Sequence, residues 1–382
     1  MHSRKLTFIE SVMLIAGAGI GTGIITIPYA ISKIGIFGTV TALVVAYIVS
    51  AFTYLILADL VRNSHQPEDL IGSLNEHVFT GKGKRVLSTV FFILLALLLL
   101  EFLVVYTLCA GNVLADLIGI HPAPAKILFY LVASSIVFFG VKGMGVGEKI
   151  SVFLIGAVVI GLTVLSLFHR NGTIPLTFGR GSVVFAVYGL FMYSLSSTFA
   201  VIQVCNHIEK TEKTGKAVVW GIALNGFLTV LYAVAVILGS ETVTEVTTIG
   251  LSDGIGIPFV KVLCSVLVLG AMFTSFWSIG FAFSDVAGGK FGLPTRLSWL
   301  ISTLPAALIA ILIPLSVLDY VQIGAGALSL IFLLIVFPAY LHAVKEPIQP
   351  LLLGRLSGKP VLIAVVVIGT VLMAAASLVP IS

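Results

Sequence analysis

The sequence predicts an all-α polytopic membrane protein with about 11 transmembrane helices, and three observations predict it. Of its 382 residues, 59% are hydrophobic and only 10% charged, where a soluble domain carries about 25% charged residues. The apolar residues gather in runs of roughly 20, the length that crosses a hydrocarbon core. The basic residues collect in alternate connections between those runs, which is the pattern that sets membrane topology.

The runs place spans at 8–34, 38–61, 86–116, 124–141, 148–168, 181–207, 215–239, 257–287, 296–313, 317–341 and 359–380. The first follows a basic flank, as a signal peptide would, but it is too long and too many similar spans follow, so it reads as a retained helix. With the N-terminus in the cytoplasm, only Lys33, Lys126, Arg170, Arg180 and Lys261 of the 21 Lys and Arg residues fall on the outer side. That bias puts the N-terminus inside and, after an odd number of spans, the C-terminus outside.

Between spans 2 and 3, residues 63–83 form the longest inner link, and its IGSLNEHVF stretch is expected as an amphipathic helix along the interface. The outer segment 240–256, SETVTEVTTIGLSDGIG, has no basic residue and is too polar to span. It is expected as a short helix or lid on the outer mouth. Trp220 and Trp299 mark the inner ends of their spans, where an indole sits at the interface. Compact loops suit a prokaryotic plasma membrane.

The net charge of +5 resides in these short loops and is no nucleic-acid signal. Cys109, Cys205 and Cys264 all fall within apolar runs without metal-ligand spacing, so they read as packing residues. No nucleophile elbow, P-loop, zinc-protease or dinucleotide motif is present, which argues against an enzyme. Without an ATP site, any accumulation must draw on an ion gradient.

The first span carries AGAGIGTGIITIPYA, with glycine at 17, 19, 21 and 23. Each glycine costs up to about 1 kcal/mol relative to alanine in a helix, so the helix is expected to open there. Open backbone at membrane depth is tolerated only where it is buried in protein or lines a wet cavity. Such a break can receive a ligand, its N–H groups attracting an anion and its carbonyls a cation. The alternative is a close packing face of the GxxxG type, but glycine in both registers and the nearby Pro28 favour a break.

Transporters often break the corresponding helix of a second, inverted repeat. Five spans on, span 6 carries YSLSST at 193–198, a cluster of hydroxyls at mid-membrane that can satisfy freed backbone groups. A continuous helix with hydrogen-bonding serines stays open as the other reading. Glu101 interrupts the LLLLEFLVV run of span 3, and an acid at that depth is costly enough to need a reason. It is expected either as a proton-coupling carboxylate or as a structural residue facing span 10 or a crevice.

At these residues the chain resembles a known group. GAGIGTGIITIPYAISKIGIFGT is similar to the first helix of the amino acid/auxin and aromatic amino acid permeases, within the amino acid, polyamine and organocation superfamily. The span count, HIEKTEKTGKAVVWG after span 6 and TEVTTIGLSDGIG extend the resemblance over most of the chain. Many relatives carry a proline and an acidic residue in the inner half of span 6, where this chain has Gln203, Val204 and Cys205.

The resemblance implies the inverted five-plus-five fold of the bacterial leucine transporter, with residues 1–168 and 181–341 as the two repeats and 359–380 an added helix. It implies a secondary transporter importing an amino acid between spans 1, 3, 6 and 8. The carboxylate would meet N–H groups at Gly19, Gly21, Thr22 and Gly23, and the ammonium carbonyls at Tyr193, Ser194 and Ser196. Tyr106 would close the pocket from outside, and Thr26, Ser196, Ser197 and Trp277 would tune it for side chains. Ile24, Phe191, Phe199 and Trp277 suggest an apolar or aromatic substrate.

In span 8, Ala271, Thr274 and Ser275 have the i, i+3, i+4 spacing of one helix face. They are similar to half of the sodium site of sodium-coupled members, whose other half would be the carbonyls of Gly17 and Ile20. Oxygen ligands suit a hard cation, and the lysine that replaces the ion in proton-coupled relatives is missing from span 5. Sodium is therefore the expected coupling ion, with a proton as alternative; no other cofactor is expected. The expected partners are the amino acid, the coupling cation and the lipid bilayer. A non-transporting sensor on the same fold, such as the membrane subunit of a spore germinant receptor, is the rival reading.

Overall fold

The structure is a computed structural model that describes residues 5–64, 84–139, 144–244, 247–313 and 316–381. The expected IGSLNEHVF helix lies outside the described residues. Each of the eleven runs forms helix. Spans 1 to 5 are α1 (Phe8–Ser32), α2 (Gly35–Arg62), α3 (Lys84–Ile118), α4 (Pro122–Phe139) and α5 (Met144–Phe168). Span 6 is divided into α6 (Gly181–Ser194) and α7 (Thr198–His207), and span 7 is α8 (Thr214–Gly239).

The segment expected to cover one mouth contains the short α9 (Thr247–Ile255). Spans 8 and 9 are α10 (Pro258–Phe291) and α11 (Thr295–Leu312). Span 10 joins α12 (Val317–Ile331), a π-turn Phe332–Val336 and α13 (Phe337–Ala343), and the last span is α14 (Pro360–Ala376). Among the described residues, eight spans are long and apolar enough to cross a membrane, and the bent α1 makes a ninth. α14 is shorter.

Local chemistry explains the element ends. Thr7 accepts from the Glu10 N–H while the Glu10 carboxylate accepts from the Thr7 N–H, a reciprocal cap that starts α1. Ser316 and Asp319 repeat the device at α12. The π-turn in span 10 precedes Pro338, which has no N–H to offer the carbonyl one turn back, so the helix widens there. Gly35 holds φ +68° where α2 begins, letting Ile36 and Phe37 donate to Pro175 and Thr177 carbonyls of the connection before α6.

The core is built around α1, which packs on α5, α6, α7, α8 and α10. α3 lies across from it, against α4, α10, α11 and α12. α9 packs on α8 and α10 and touches α1. Leu6 joins the start of the chain to the end of span 6, donating to the His207 carbonyl at 2.7 Å and accepting from the Glu209 N–H at 2.9 Å.

Two expectations about the breaks are refined. α1 breaks in direction where expected, in the glycine run, bending by 59° between Phe8–Gly21 and Gly23–Ser32, while its backbone stays helical. Glycine lets neighbouring elements close on the bend, and Pro28 withholds a donor from the turn above it, so curvature replaces unwinding. Span 6 does break. Leu195, Ser196 and Ser197 are non-helical, so the continuous-helix reading of YSLSST is set aside.

Candidate functional site

The break in span 6 is held by spans 1 and 7. Ser194, the last residue of α6, presents its carbonyl to Asn225 Nδ2 at 2.9 Å, and Thr229 Oγ1 donates to Asn225 Oδ1 at 3.2 Å. Ser197 Oγ donates to the Ile15 carbonyl of α1 at 3.0 Å. Gly19 lies against this junction. A Cβ there would strike Asn225 and the Ser194 carbonyl and lie 3.2 Å from the Ser196 carbonyl. Gly23 likewise faces the Ser194 hydroxyl and Thr229. Gly19 and Gly23 of span 1 thus make room for the broken helix.

Beside the junction is a small cavity of about 30 Å³. Spans 1, 3, 6 and 8 line it: Ala18 from α1, Phe102 and Tyr106 from α3, Ser196 to Ala200 at the break, and Ser275 and Ser278 from α10. Tyr106 stacks on Phe102 with ring centroids 6.1 Å apart, and Phe102 on Tyr193 at 5.3 Å. Thr198 Oγ1 and Ser275 Oγ are buried without a hydrogen bond of ordinary geometry among the described residues, with the Tyr54 and Tyr106 hydroxyls as their polar neighbours. A buried polar atom left without a good hydrogen bond is costly, so two at one cavity mark a place where a polar ligand or water is wanted.

α7 starts at this cavity without a side-chain cap. The first N–H groups of a helix have no intrahelical acceptor, and the macrodipole adds positive potential there. A second cavity, of about 120 Å³, lies further along α1 and α3, bounded by Thr26, Tyr29, Asn112, Thr247 and Thr248. Cys109 borders this second cavity and Tyr106, one turn earlier on α3, the first.

The expected site residues divide accordingly. Tyr106, Ser196, Ser197 and Ser275 line the first cavity, and Gly21 adjoins it, since a Cβ on Gly21 would lie 2.7 Å from Ser275 Oγ and 3.4 Å from Tyr106. Gly19, Gly23 and Ser194 form the wall behind it. Tyr193 turns away, donating its hydroxyl to Glu101 Oε2 and Oε1 at 2.7 and 3.0 Å. Thr22 belongs to the bend, but its side chain is outside the described residues.

Three expectations change. Trp277 does not line the cavity; it packs on Phe273, which in turn packs on Phe129 of α4, because residue 277 falls on the helix face opposite Ser275. Ile24 and Phe191 are buried in the core away from the cavity lining, whereas Phe199 is part of it. The Ser194 carbonyl, expected for an ammonium group, is already taken by Asn225.

The five expected ion ligands are also dispersed in their bonding. Thr274 Oγ1 donates to the Gly270 and Ala271 carbonyls of its own helix at 3.2 and 3.1 Å. Gly17 is turned towards α5, where a Cβ would lie 2.7 Å from Val152, and Ile20 is fully buried. Ser275 is the one of the α10 set that faces the glycine run. Among the described residues no group of three or more His, Cys, Asp or Glu could hold a metal.

Asn225 and Thr229 were not singled out from the sequence, although an amide in the middle of WGIALNGFLTV was the available signal. Phe102 was likewise missed, and Thr198 was read only as part of the hydroxyl cluster at 193–198.

A family described as tryptophan/tyrosine permeases matches residues 4–376 of the chain. No curated protein sequence matches it. Solved structures do. The crystal structure of MhsT in complex with L-phenylalanine superposes with a TM-score of 0.73 at 16% identity, covering 98% of this chain and 100% of that one. Mhp1, a nucleobase-cation-symport-1 family transporter in a closed conformation with bromovinylhydantoin bound, gives 0.70 at 11% identity over 99% and 92%. The manganese transporter of Eremococcus coleocola gives 0.65 at 13% identity over 96% and 87%. The fold is therefore that of the leucine-transporter class, as the first span's resemblance implied.

Proposed function

From the premise that this chain belongs to the tryptophan/tyrosine permease family, we propose that it is a secondary active transporter importing an aromatic amino acid, driven by a cation gradient. The observation that carries the reading is the cavity at the span 6 break. It combines aromatic walls from Phe102, Tyr106 and Phe199 with an uncapped helix start and two hydroxyls that lack a hydrogen bond of ordinary geometry among the described residues. An aromatic amino acid needs those features together: stacking surface for its ring and donors for its carboxylate. The structural neighbour MhsT holds L-phenylalanine.

In this reading the carboxylate meets the N–H groups that open α7, with Ser275 and Thr198 completing its hydrogen bonds. Gly21 and Gly23 supply the close approach of α1. The cavity bounded by Tyr29 and Thr248 is the vestibule on the opposite side of Tyr106, so the two cavities are the successive stops of alternating access. The repeats 1–168 and 181–341 move against one another, with spans 1, 2, 6 and 7 rocking on spans 3, 4, 8 and 9. The protein sits in the plasma membrane with its N-terminus cytoplasmic and its C-terminus outside. Sodium held by Ala271, Thr274 and Ser275 with the carbonyls of Gly17 and Ile20, and a proton, are the two candidate driving ions.

The test is uptake of labelled L-tryptophan, L-tyrosine and L-leucine into liposomes containing the purified protein, under inward sodium or proton gradients. Uptake of the aromatic pair driven by either gradient supports the reading. Binding without uptake under both gradients identifies a sensor instead.

A further inference from the structure

We propose that Glu101 is the proton-binding group that couples this transporter to a proton gradient, acting on the site through Tyr193. The inference rests on the transporter reading above and names its driving ion.

Glu101 occupies the middle of the 35-residue α3, 17 residues from either end. It is buried, and a Cβ on Gly324 of α12 would lie 2.6 Å from its carboxyl carbon, so the absence of a side chain at 324 is what leaves room for the group. Among the described residues its one hydrogen-bonding partner is the Tyr193 hydroxyl. The other ionisable side chains near it are Tyr106 and Cys109 of its own helix.

The helices packed around α3 keep their charged residues towards their ends: Glu10 on α1, Lys126 on α4, Lys261, Asp285 and Lys290 on α10, Arg296 on α11 and Asp319 on α12. Tyr320 stands one turn before Gly324 on α12, and no charged residue lies on α6. A carboxylate kept only for structure at this depth would be matched by a cation or by several donors. This one has a single neutral donor, an arrangement that suits a group spending part of its cycle protonated.

The bond to Tyr193 connects that change of charge to the site. Tyr193 immediately precedes Ser194, where α6 ends, and its ring stacks on Phe102 of the cavity wall. When Glu101 is ionised, the Tyr193 hydroxyl makes a charge-assisted bond, shorter and stronger than a neutral one. When a proton enters from the gradient, the carboxyl becomes neutral and that hold on the end of α6 weakens. Release of the same proton on the other side restores it. One proton enters and one leaves, so the cycle balances, and the step at Glu101 is felt at the broken helix and at the aromatic wall together.

The experiment compares the wild-type chain with Glu101→Gln and Tyr193→Phe in liposomes, using labelled L-tryptophan. Three quantities are read: accumulation under an inward proton gradient, counterflow into vesicles preloaded with unlabelled L-tryptophan, and external pH on substrate addition in weak buffer. Wild type is expected to accumulate and to alkalinise the medium. Glu101→Gln is expected to lose accumulation at least tenfold and to give no pH change, while counterflow stays within about threefold of wild type. Tyr193→Phe is expected to keep counterflow and to accumulate less.

Accumulation by Glu101→Gln at the wild-type level overturns the proposal, as does wild-type uptake that follows sodium and leaves the external pH constant. Should the Gln variant fail to insert, the wild-type pH trace and Tyr193→Phe still decide: no alkalinisation, or wild-type coupling in Tyr193→Phe, overturns it. A wild-type chain that shows neither accumulation nor counterflow overturns the transporter reading and this proposal with it, an outcome distinct from counterflow without proton movement.

Discussion

Asn225 Nδ2 donates to the Ser194 carbonyl at 2.9 Å, so a side chain of span 7 holds the last carbonyl before the break in span 6. Asn225 is fully buried, and Thr229 secures its other end. Replacing it with Ala leaves that carbonyl and the Thr229 hydroxyl without their partner, a loss of about 1–3 kcal/mol. Asn225→Ala is expected to lower the unfolding temperature in detergent and to weaken tryptophan binding. Asn225→Asp, with an acceptor facing an acceptor, is expected to be worse.

Gly19 is where span 1 presses most tightly on the backbone of the break. An added methyl would meet the Ser194 and Ser196 carbonyls and the Asn225 amide, two of them backbone groups that cannot rotate aside. Gly19→Ala is expected to insert in the membrane and to lose transport by more than tenfold. Gly161→Ala is the control, because a Cβ there meets nothing within 4 Å. It is expected to keep uptake and to gain up to about 1 kcal/mol of helix stability, read by thermal unfolding.

Phe102 is stacked between Tyr106 and Tyr193 and reaches the cavity, which Phe199 lines from the other side of the break. Aromatic pairs contribute about 0.5–1.5 kcal/mol beyond the area that they bury. Phe102→Ala and Phe199→Ala are each expected to weaken L-tryptophan binding about tenfold or more. L-leucine, which cannot stack, should lose less, and equilibrium binding of the two amino acids checks the difference.

Gly324 gives Glu101 its space. Gly324→Ala crowds the carboxylate and is expected to cost about 1–3 kcal/mol of stability, as overpacking does. Combined with Glu101→Ala, the crowding disappears, so the two losses should fall short of additivity. A double-mutant cycle on thermal unfolding measures the coupling.

What the sequence made legible follows from how far each signal acts. An apolar run reports its own environment, so all eleven helices were readable, and the permease character followed from AGAGIGTGIITIPYA. The hydroxyls of YSLSST left a break and a continuous helix both open, because such groups can bond freed backbone or their own helix, and the structure breaks there. Whether glycine unwinds a helix or bends it depends on what closes around it, here Asn225, Ser194 and Thr229 from two other spans. The same non-local dependence hid Asn225, while Trp277 falls on the face of α10 opposite Ser275, beside Phe273, which packs on Phe129 of α4. Glu101 announced itself by cost alone, and its partner Tyr193 lies 92 residues away.

The bridge from Leu6 to His207 and Glu209 gives the chain a handle. Because two backbone hydrogen bonds pin the residue at which an amino-terminal fusion would leave the bundle, a fluorophore placed just ahead of it travels with the end of span 6 and not with a free tail. A dye there, paired with one on α11, would turn the swing of the broken helix proposed above into an optical signal. The cavity itself then carries no label.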